Sequence, residues 1–500
     1  MLKVVKSSVK DTVIYSLGTF ATKLSGFILV PLYTNTQYLT NKEYGVLNLV
    51  EVNLQVFISV FGLGICYAYE RWYWDSEFIN KRKSLFFTII FFTSITSLTL
   101  VGLLSSFSSS LSQILFKGNT FSTLFTLMLV NAAFEIIAQT PNSLIRLSEK
   151  PALFTSANIT KLIVSVGLTV LFTVKFKWGL EGIYYAQIIG IVVYFIVLSK
   201  FIYKNLEYKF EWRELINMIQ FRFPFLLPIV ALNLFNFNDR YILANVLGTE
   251  EVGVYSLGAK LANTIKVFII TAIWMALTPT IYKMMNDPNN KRFYSKIMTY
   301  LSFVVIFFVM TFSFFSKELV ELFATEKSYE RAQQIIPLIS LGIFFGMLKD
   351  VSLIGLNISK RTFPILIGTI TSLTVSILFN FLLIPNYGII GASLVNLFSQ
   401  IIFFIIILSY AQKYYHIPYE LKKIGLIITV FLLLFLVSIS TNSFTIWARI
   451  SIKAGLLFLF PIILYWLDFF EEIEIARLKS MWVKWRDPLN WKENLKKINW

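Results

Sequence analysis

The sequence predicts an all-α polytopic membrane protein of about 14 transmembrane helices, with two six-helix lobes in a pseudo-two-fold arrangement plus two C-terminal helices. Hydrophobic residues make up 56% of the 500 and mean hydropathy is +0.68, above the roughly 45–50% apolar usage of soluble domains. They gather in blocks of about 20, the length that crosses a bilayer core as a helix. The blocks also repeat in order, offset by about 208 residues. Glu43-Tyr44-Gly45-Val46-Leu47-Asn48-Leu49 returns as Glu251-Val252-Gly253-Val254-Tyr255-Ser256-Leu257, and Trp178-Gly179-Leu180-Glu181-Gly182 as Tyr387-Gly388-Ile389-Ile390-Gly391. Each copy holds an even number of blocks, so both insert with the same orientation about an axis along the membrane normal. A duplicated bundle of this kind points to a transporter whose site lies between two rocking bodies.

Charged connections separate the blocks and place the helices in order. After a terminus bearing Lys3, Lys6 and Lys10 come helices near 12–33 and 43–65; the long amphiphilic first span lacks a small-residue cleavage site and is expected to stay in the mature chain. Arg71, Lys81, Arg82 and Lys83 precede helices near 84–106, 120–140, 152–174 and 179–203. The basic 200–213 connection leads to helices near 218–239 and 251–276, and the basic 283–296 connection to 297–315, 331–350, 362–385 and 388–411. Two further helices are expected near 422–440 and 446–467. The domains read as 1–210 and 211–415 for the two lobes, 416–467 for helices 13 and 14, and 468–500 for a cytoplasmic amphipathic tail. Most of the 45 Lys and Arg fall on one set of connections together with both termini, which places the termini in the cytoplasm by the positive-inside rule.

The formal charge of +17 is therefore mostly topological, and no nucleic-acid partner is expected. In the tail, Trp482, Trp485, Trp491 and Trp500 alternate with Arg477, Lys479, Lys484, Arg486 and Lys492, which suits a helix lying in the headgroup layer. Cys66 is the single cysteine and His416 the single histidine. They offer no disulfide, metal site or His-based chemistry. No loop is long enough for a catalytic module, so no enzyme activity, catalytic residue or cofactor is expected.

Function is expected where charge enters the membrane, because an ionised side chain at a helix centre costs about 2.5–3.5 kcal/mol on the insertion scale. Lys23 shares a helix face with Thr19 and Gly26, and Glu51 lies on a stripe with Asn48, Gln55 and Ser59. Glu135 sits between Asn131 and Gln139, and Lys161 between Asn158 and Ser165. In the second half come Arg222 with Asn233 and Asn236, then Lys260, Asn263 and Lys266. These charges break the repeat: Lys23 corresponds to Ala231, Glu51 to Ala259 and Lys161 to Ile370. Lys23, Lys161, Arg222, Lys260 and Lys266 are thus the substrate-binding candidates, as a cationic surplus suits an anionic cargo. Glu51 and Glu135 are the coupling-ion candidates. Lys23 and Glu51, on consecutive helices, fit either a neutralising pair or a site. Pro224 and Pro228 bracket the start of the seventh helix and make it the hinge candidate. Gly62-Leu63-Gly64 reads as close helix packing rather than a phosphate cradle.

Pro31-Leu32-Tyr33-Thr34 followed by Glu43-Tyr44-Gly45, Asp239-Arg240-Tyr241 leading to Gly253-Val254-Tyr255-Ser256-Leu257 and Lys260-Leu261-Ala262, and Pro385-Asn386-Tyr387-Gly388 with Gly391-Ala392 resemble, in order and spacing, the polysaccharide-export branch of the multidrug/oligosaccharidyl-lipid/polysaccharide flippase superfamily. The resemblance covers nearly the whole chain. It implies a V-shaped pair of six-helix lobes in the bacterial cytoplasmic membrane that carries an undecaprenyl-pyrophosphate-linked oligosaccharide repeat unit of O-antigen, capsule or exopolysaccharide between leaflets. Coupling to H+ or Na+ as an antiporter, membrane lipid as surroundings, and polymerase and chain-length proteins of the pathway as partners follow from it. The layout is also similar to lipid II flippases, whose cations on helices 1 and 8 face a central cavity; Lys23 and Lys260 fall on those helices, in a sparser set of mainly lysines. By the same analogy helices 13 and 14, with Arg449 and Lys453, would line a lipid-tail groove. The alternatives are a lipid II type flippase or a multidrug/cation antiporter of the same superfamily, and, from a different class, a membrane polymerase of the same pathway.

Overall fold

The computed structural model describes residues 26–116, 119–472 and 475–476, and no strand occurs among them. The helical segments, with short 3-10 and π turns merged into them, include twelve that are long and apolar enough to cross a membrane. The first expected helix is described only from residue 26, ending in α1 (Val30–Tyr33). Lys23 and the tail's aromatic and basic residues from Arg477 onward lie outside the described residues.

α2 (Asn41–Phe61) starts at a capping box. The Thr40 hydroxyl accepts from the Glu43 amide at 3.2 Å, and Glu43 Oε2 accepts from the Thr40 amide at 2.8 Å. The helix breaks at Leu63 and Gly64, both with positive φ, and resumes as α3 (Ile65–Trp74), so it runs further than the 43–65 expected. α4 (Arg82–Ser105), the short α5 (Ser108–Phe116), α6 (Ser122–Leu147), α7 (Pro151–Val170) and α8 (Gly179–Lys204) follow. The second repeat begins with α9 (Trp212–Arg222), a 3-10 turn at Phe223–Phe225, and α10 (Leu226–Val246). The expected helix at 218–239 lies inside this run, which with the 3-10 turn merged continues from Trp212 to Val246. Pro224 has no amide hydrogen to donate back along the helix, so the α-helical ladder of α9 gives way after Arg222 to a 3-10 turn before α10 begins. α11 (Thr249–Thr264) passes through a π turn (Ile265–Ile270) into α12 (Thr271–Lys283).

The first compact unit takes residues 1–287 and 316–416. Its remaining elements are α14 (Ser316–Phe323), α15 (Ile336–Ile358) and α16 (Phe363–Tyr414), with α13 (Asn290–Phe314) lying in the other unit. α15 starts later than the 331 expected, because 327–334 forms a 3-10 turn. The 52 residues of α16 are two arms folded back at Gly388 (φ 58). A Cβ on Gly368 would lie 2.9 Å from the Phe403 ring, which brings the arms side by side. Gly179 holds the matching position in the first repeat, also at positive φ (56). Only glycine adopts that backbone without strain.

α2 and α11 cross where the repeat predicts equivalent residues. A Cβ on Gly253 would lie 3.0 Å from the Asn41 carbonyl oxygen and 3.3 Å from the Gly45 amide nitrogen. A Cβ on Gly45 would overlap the carbonyl oxygen of Thr249, the repeat mate of Asn41. The duplicated glycines therefore meet each other across a local two-fold axis. At the same end, Thr34 Oγ1 donates to the Phe323 carbonyl at 3.0 Å, Asn41 Nδ2 to Ser328 Oγ at 2.7 Å, and Arg331 pairs with Glu251 at 2.6 Å.

The connection between the repeats is clipped by charge. Glu211 accepts from Ser84 Oγ at 3.2 Å, with Lys209 at 3.1 Å and Lys81 at 3.9 Å. Burial raises the Glu211 pKa, but the Lys209 hydrogen bond and charge, with Lys81 and Ser84, outweigh it and hold the carboxyl below its ordinary range. A depressed folded-state pKa contributes stability that is complete above the unfolded value and is lost as pH falls through the folded one. Acidification from about pH 5 to pH 3 should lower the unfolding temperature of the purified chain, and Glu211→Gln should flatten that decline. An unchanged slope in the variant would remove the clip from the acid response.

The second unit takes residues 288–315 and 417–500. It contains α13, α17 (Leu421–Ser440) and α18 (Ile446–Trp466). Phe303 stacks on Phe460 and Phe314 on Phe435, with centroids at 5.8 and 6.4 Å. Lys296 pairs with Glu420 at 2.9 Å and also with Glu471, while Thr299 Oγ1 donates to Glu420 Oε2 at 2.7 Å. Arg449 and Lys453 are buried one turn apart on α18, and Lys453 Nζ donates to Asn442 Oδ1 at 3.0 Å.

Candidate functional site

Helices α2, α6, α7 and α8 surround a polar cavity of about 450 Å³. Asn131, Glu135, Gln139 and Asn142 recur at three- and four-residue steps on α6, so one helix face presents them all. Asn158, Lys161 and Ser165 do the same on α7, while α2 contributes Gln55 and α8 contributes Gln187. Gly190 allows α8 this close to α7, since a Cβ there would overlap Ser165 Oγ and lie 3.1 Å from the Lys161 carbonyl oxygen.

The coupling-ion candidate Glu135 and the substrate candidate Lys161 come together as an ion pair at 2.5 Å across α6 and α7. Asn131 Nδ2 donates to Gln187 Oε1 at 2.6 Å, and Cys66 Sγ to Gln139 Oε1 at 3.4 Å. Other polar atoms of this lining remain buried without a protein partner: Asn131 Oδ1, Asn142 Oδ1 and Ser165 Oγ. Unmade hydrogen bonds of this kind cost about 1–3 kcal/mol each unless a guest or water supplies them.

The remaining candidates lie elsewhere. Lys260 on α11 rests against Gly26, where a Cβ would be 3.4 Å from its Cε, with Nζ 6.0 Å from the Tyr33 ring centroid. Arg222 lies between Tyr67 and Phe225, its guanidinium carbon 5.1 Å from each ring centroid. Gly64 makes room for it, as a Cβ there would come 2.6 Å from Nη2. Gly62-Leu63-Gly64 thus serves a helix break and close packing. Among the described residues no carboxylate comes within ion-pair distance of Lys260 or Arg222. Glu51, half-buried on α2, likewise has no ion pair with a described residue. Lys266 sits exposed on the π turn, and Pro224 and Pro228 flank the junction from α9 to α10. The structure does not gather the described cations into one cluster: Lys161 belongs to the polar cavity, Lys260 to the crossing of the repeats, Arg222 to the α3–α9 contact, and Lys266 to the π turn.

One buried polar group escaped the sequence reading. Asn238 on α10 donates to Ser376 Oγ at 3.1 Å and accepts from Asn380 Nδ2 at 2.8 Å, all buried. Ser376 and Asn380 stand four residues apart in an apolar run, and that spacing is the signal that could have found them. Asp239 accepts from the Tyr255 hydroxyl and Tyr241 donates to Asn53 Oδ1 at 3.1 Å, so the Asp239-Arg240-Tyr241 motif ties α10 to α11 and α2. Among the described residues no group of three or more His, Cys, Asp or Glu is placed to hold a metal ion.

The profile of the family described as polysaccharide biosynthesis protein matches residues 36–331. No individual curated protein matches the sequence. Among solved structures the chain is similar to the lipid II flippase MurJ in an inward closed conformation, with TM-score 0.72 and 18% identity over 91% of this chain and 99% of that one. It is also similar to a variant of the Vibrio cholerae MATE transporter VcmN, with TM-score 0.60 and 17% identity over 82% and 97% of the two chains. A third is a MOP superfamily transporter from Pyrococcus furiosus, with TM-score 0.60, 14% identity and coverages of 82% and 95%. These neighbours are transporters and flippases and share the all-α polytopic fold, while the profile spans more than half of the sequence. The chain belongs to the polysaccharide biosynthesis protein family and has the fold of the MOP superfamily transporters.

Proposed function

We propose that this protein is a flippase that moves an undecaprenyl-pyrophosphate-linked oligosaccharide repeat unit of O-antigen, capsule or exopolysaccharide across the cytoplasmic membrane by alternating access. The observation that carries the reading is the placement of Lys260 and Arg222. Both are cations on the second repeat set against first-repeat elements, and neither has a carboxylate partner among the described residues. An unpaired cation between two bodies suits an anionic headgroup, because the protein then replaces the solvation that lipid cannot. Lys23 and Lys266 complete the substrate set, while Lys161 is neutralised by Glu135. The lobes at 1–210 and 211–415 rock about the Pro224/Pro228 junction, with the glycine crossing closing one end. With the termini in the cytoplasm and the inside negative, outward movement of an anion is favoured by about 2.3 kcal/mol per charge per 100 mV. Glu51 binds the returning H+ or Na+, since Glu135 is taken up by Lys161.

The test is reconstitution of the full chain in proteoliposomes loaded with an undecaprenyl-pyrophosphate oligosaccharide, read by the accessibility of its glycan to an external lectin. Wild type should expose the glycan, and Lys260→Gln with Arg222→Gln should slow exposure about tenfold or more. Unchanged rates in the double variant would overturn the cationic headgroup site. Failure of the wild type to move the glycan in every imposed potential and ion gradient would overturn the flippase reading.

A further inference from the structure

We infer that the cavity among α2, α6, α7 and α8 is a binding site for a neutral, hydroxyl-rich sugar, and, on the flippase reading above, that it receives a sugar of the transported glycan rather than its phosphate. The charge balance is the first argument. Among the described residues its one ammonium, Lys161, is paired with its one carboxylate, Glu135, so that lining offers no spare charge to a phosphate, an acidic sugar or a metal cation. The lining chemistry is the second. Six carboxamides face this space, from Gln55, Asn131, Gln139, Asn142, Asn158 and Gln187. A carboxamide donates and accepts through two groups in one plane, which matches neighbouring ring hydroxyls that each do both.

Unmet demand is the third argument. Asn131 is 2% exposed, yet its Oδ1 accepts nothing from the protein, and Asn142 Oδ1 and Ser165 Oγ are also buried without partners. These atoms call for hydrogen-bonding guests, and the site is roomier than a few trapped waters require. At about 450 Å³ it lies within the roughly 300–1,000 Å³ of small-molecule pockets. Leu54, Ile58 and Leu162 supply an apolar flank for the C–H face of a ring.

The experiment is ligand titration of the purified full-length chain in lipid nanodiscs, with glucose, galactose, N-acetylglucosamine and glucuronic acid read by saturation-transfer difference NMR and inorganic pyrophosphate, which has no C–H protons, read by its phosphorus NMR line width. At least one neutral sugar should bind saturably in the millimolar range. Asn131→Leu and Gln187→Met should each weaken it about tenfold, while Ser409→Ala, on the second arm of α16, leaves it unchanged. Gln187→Met keeps side-chain length and removes only the polar atoms, and an unfolding scan of both variants shows whether either loss is a folding defect. A site filled by water only, seen as no saturable binding of any neutral sugar, overturns the inference. So does binding of glucuronate or pyrophosphate that Lys161→Gln abolishes, or sugar binding that well-folded Asn131 and Gln187 variants leave intact. The two readings fail separately: sugar binding without lipid-linked glycan movement removes the flippase, and movement without sugar binding removes this pocket.

Discussion

Gly45→Ala is expected to be the most damaging single-methyl substitution in the protein. The added carbon would overlap the Thr249 carbonyl oxygen, a backbone atom in the first turn of α11 that no rotamer change can move aside. Overpacking of a tight core costs about 1–3 kcal/mol and occasionally more, and here the only relief is for α2 and α11 to separate. Gly253→Ala sits at the equivalent place but meets Asn41 O at 3.0 Å and Gly45 N at 3.3 Å, so a small shift accommodates it. The unfolding temperature should fall clearly for Gly45→Ala and by much less for Gly253→Ala. If the crossing also closes one end of the transport cycle, a cysteine pair at Asn41 and Ser328, which are hydrogen-bonded at 2.7 Å, should cross-link in a Cys66→Ala background and lose that cross-link when Gly45→Ala is added. Equal stability of the two alanine variants would show that the crossing is looser than described.

Breaking the Glu135–Lys161 pair is the second large effect. Removing one partner of a buried pair typically costs 3–5 kcal/mol. The two side chains retain 32% and 22% of their exposure, so a loss of about 1–3 kcal/mol is the better expectation. Glu135→Gln leaves Lys161 as an uncompensated ammonium in a cavity of neutral amides, and Lys161→Gln leaves the carboxylate. The exchange Glu135→Lys with Lys161→Glu should restore most of the stability lost in either single variant, measured as unfolding temperature in the same detergent. Transport then separates the roles. If exchange restores stability and flipping together, the pair is structural; if stability returns without flipping, the position of the carboxylate matters to coupling. No recovery of stability on exchange would mean that the 2.5 Å contact is not what holds α6 to α7.

Much of the architecture was readable in the chain because membrane helices are written in blocks and their ends in turn residues. The expected 179–203 became Gly179–Lys204, and 446–467 became Ile446–Trp466. Where the block edge carried conflicting signals the reading slipped. Arg222-Phe223-Pro224 interrupts an apolar run, and the helical run begins earlier, at Trp212, and ends later, at Val246, than the 218–239 expected. The spans expected at 362–385 and 388–411, by contrast, match the two arms of α16 on either side of Gly388.

The site was legible one helix at a time. Periodicity alone placed Asn131, Glu135 and Gln139 on one face and Asn158, Lys161 and Ser165 on another. Gln187 and Asn142 gave weaker signals, a single amide in an apolar helix and one just beyond a proline. The cationic surplus expected from the sequence survives at Lys260 and Arg222 but not at Lys161, which the fold neutralises with Glu135.

By itself the sequence determined the membrane class, the helix order, the duplication and the residue types that could not sit in lipid without a reason, because these depend on composition and on spacing along one chain. The tertiary structure alone decided that Gly45 meets Gly253, that Glu135 meets Lys161, and that six amides from four helices share one cavity. Helices touch through faces whose rotation and depth are set by packing against all their neighbours at once. Which charges cancel and which remain available to a ligand is therefore a property of the fold rather than of any segment.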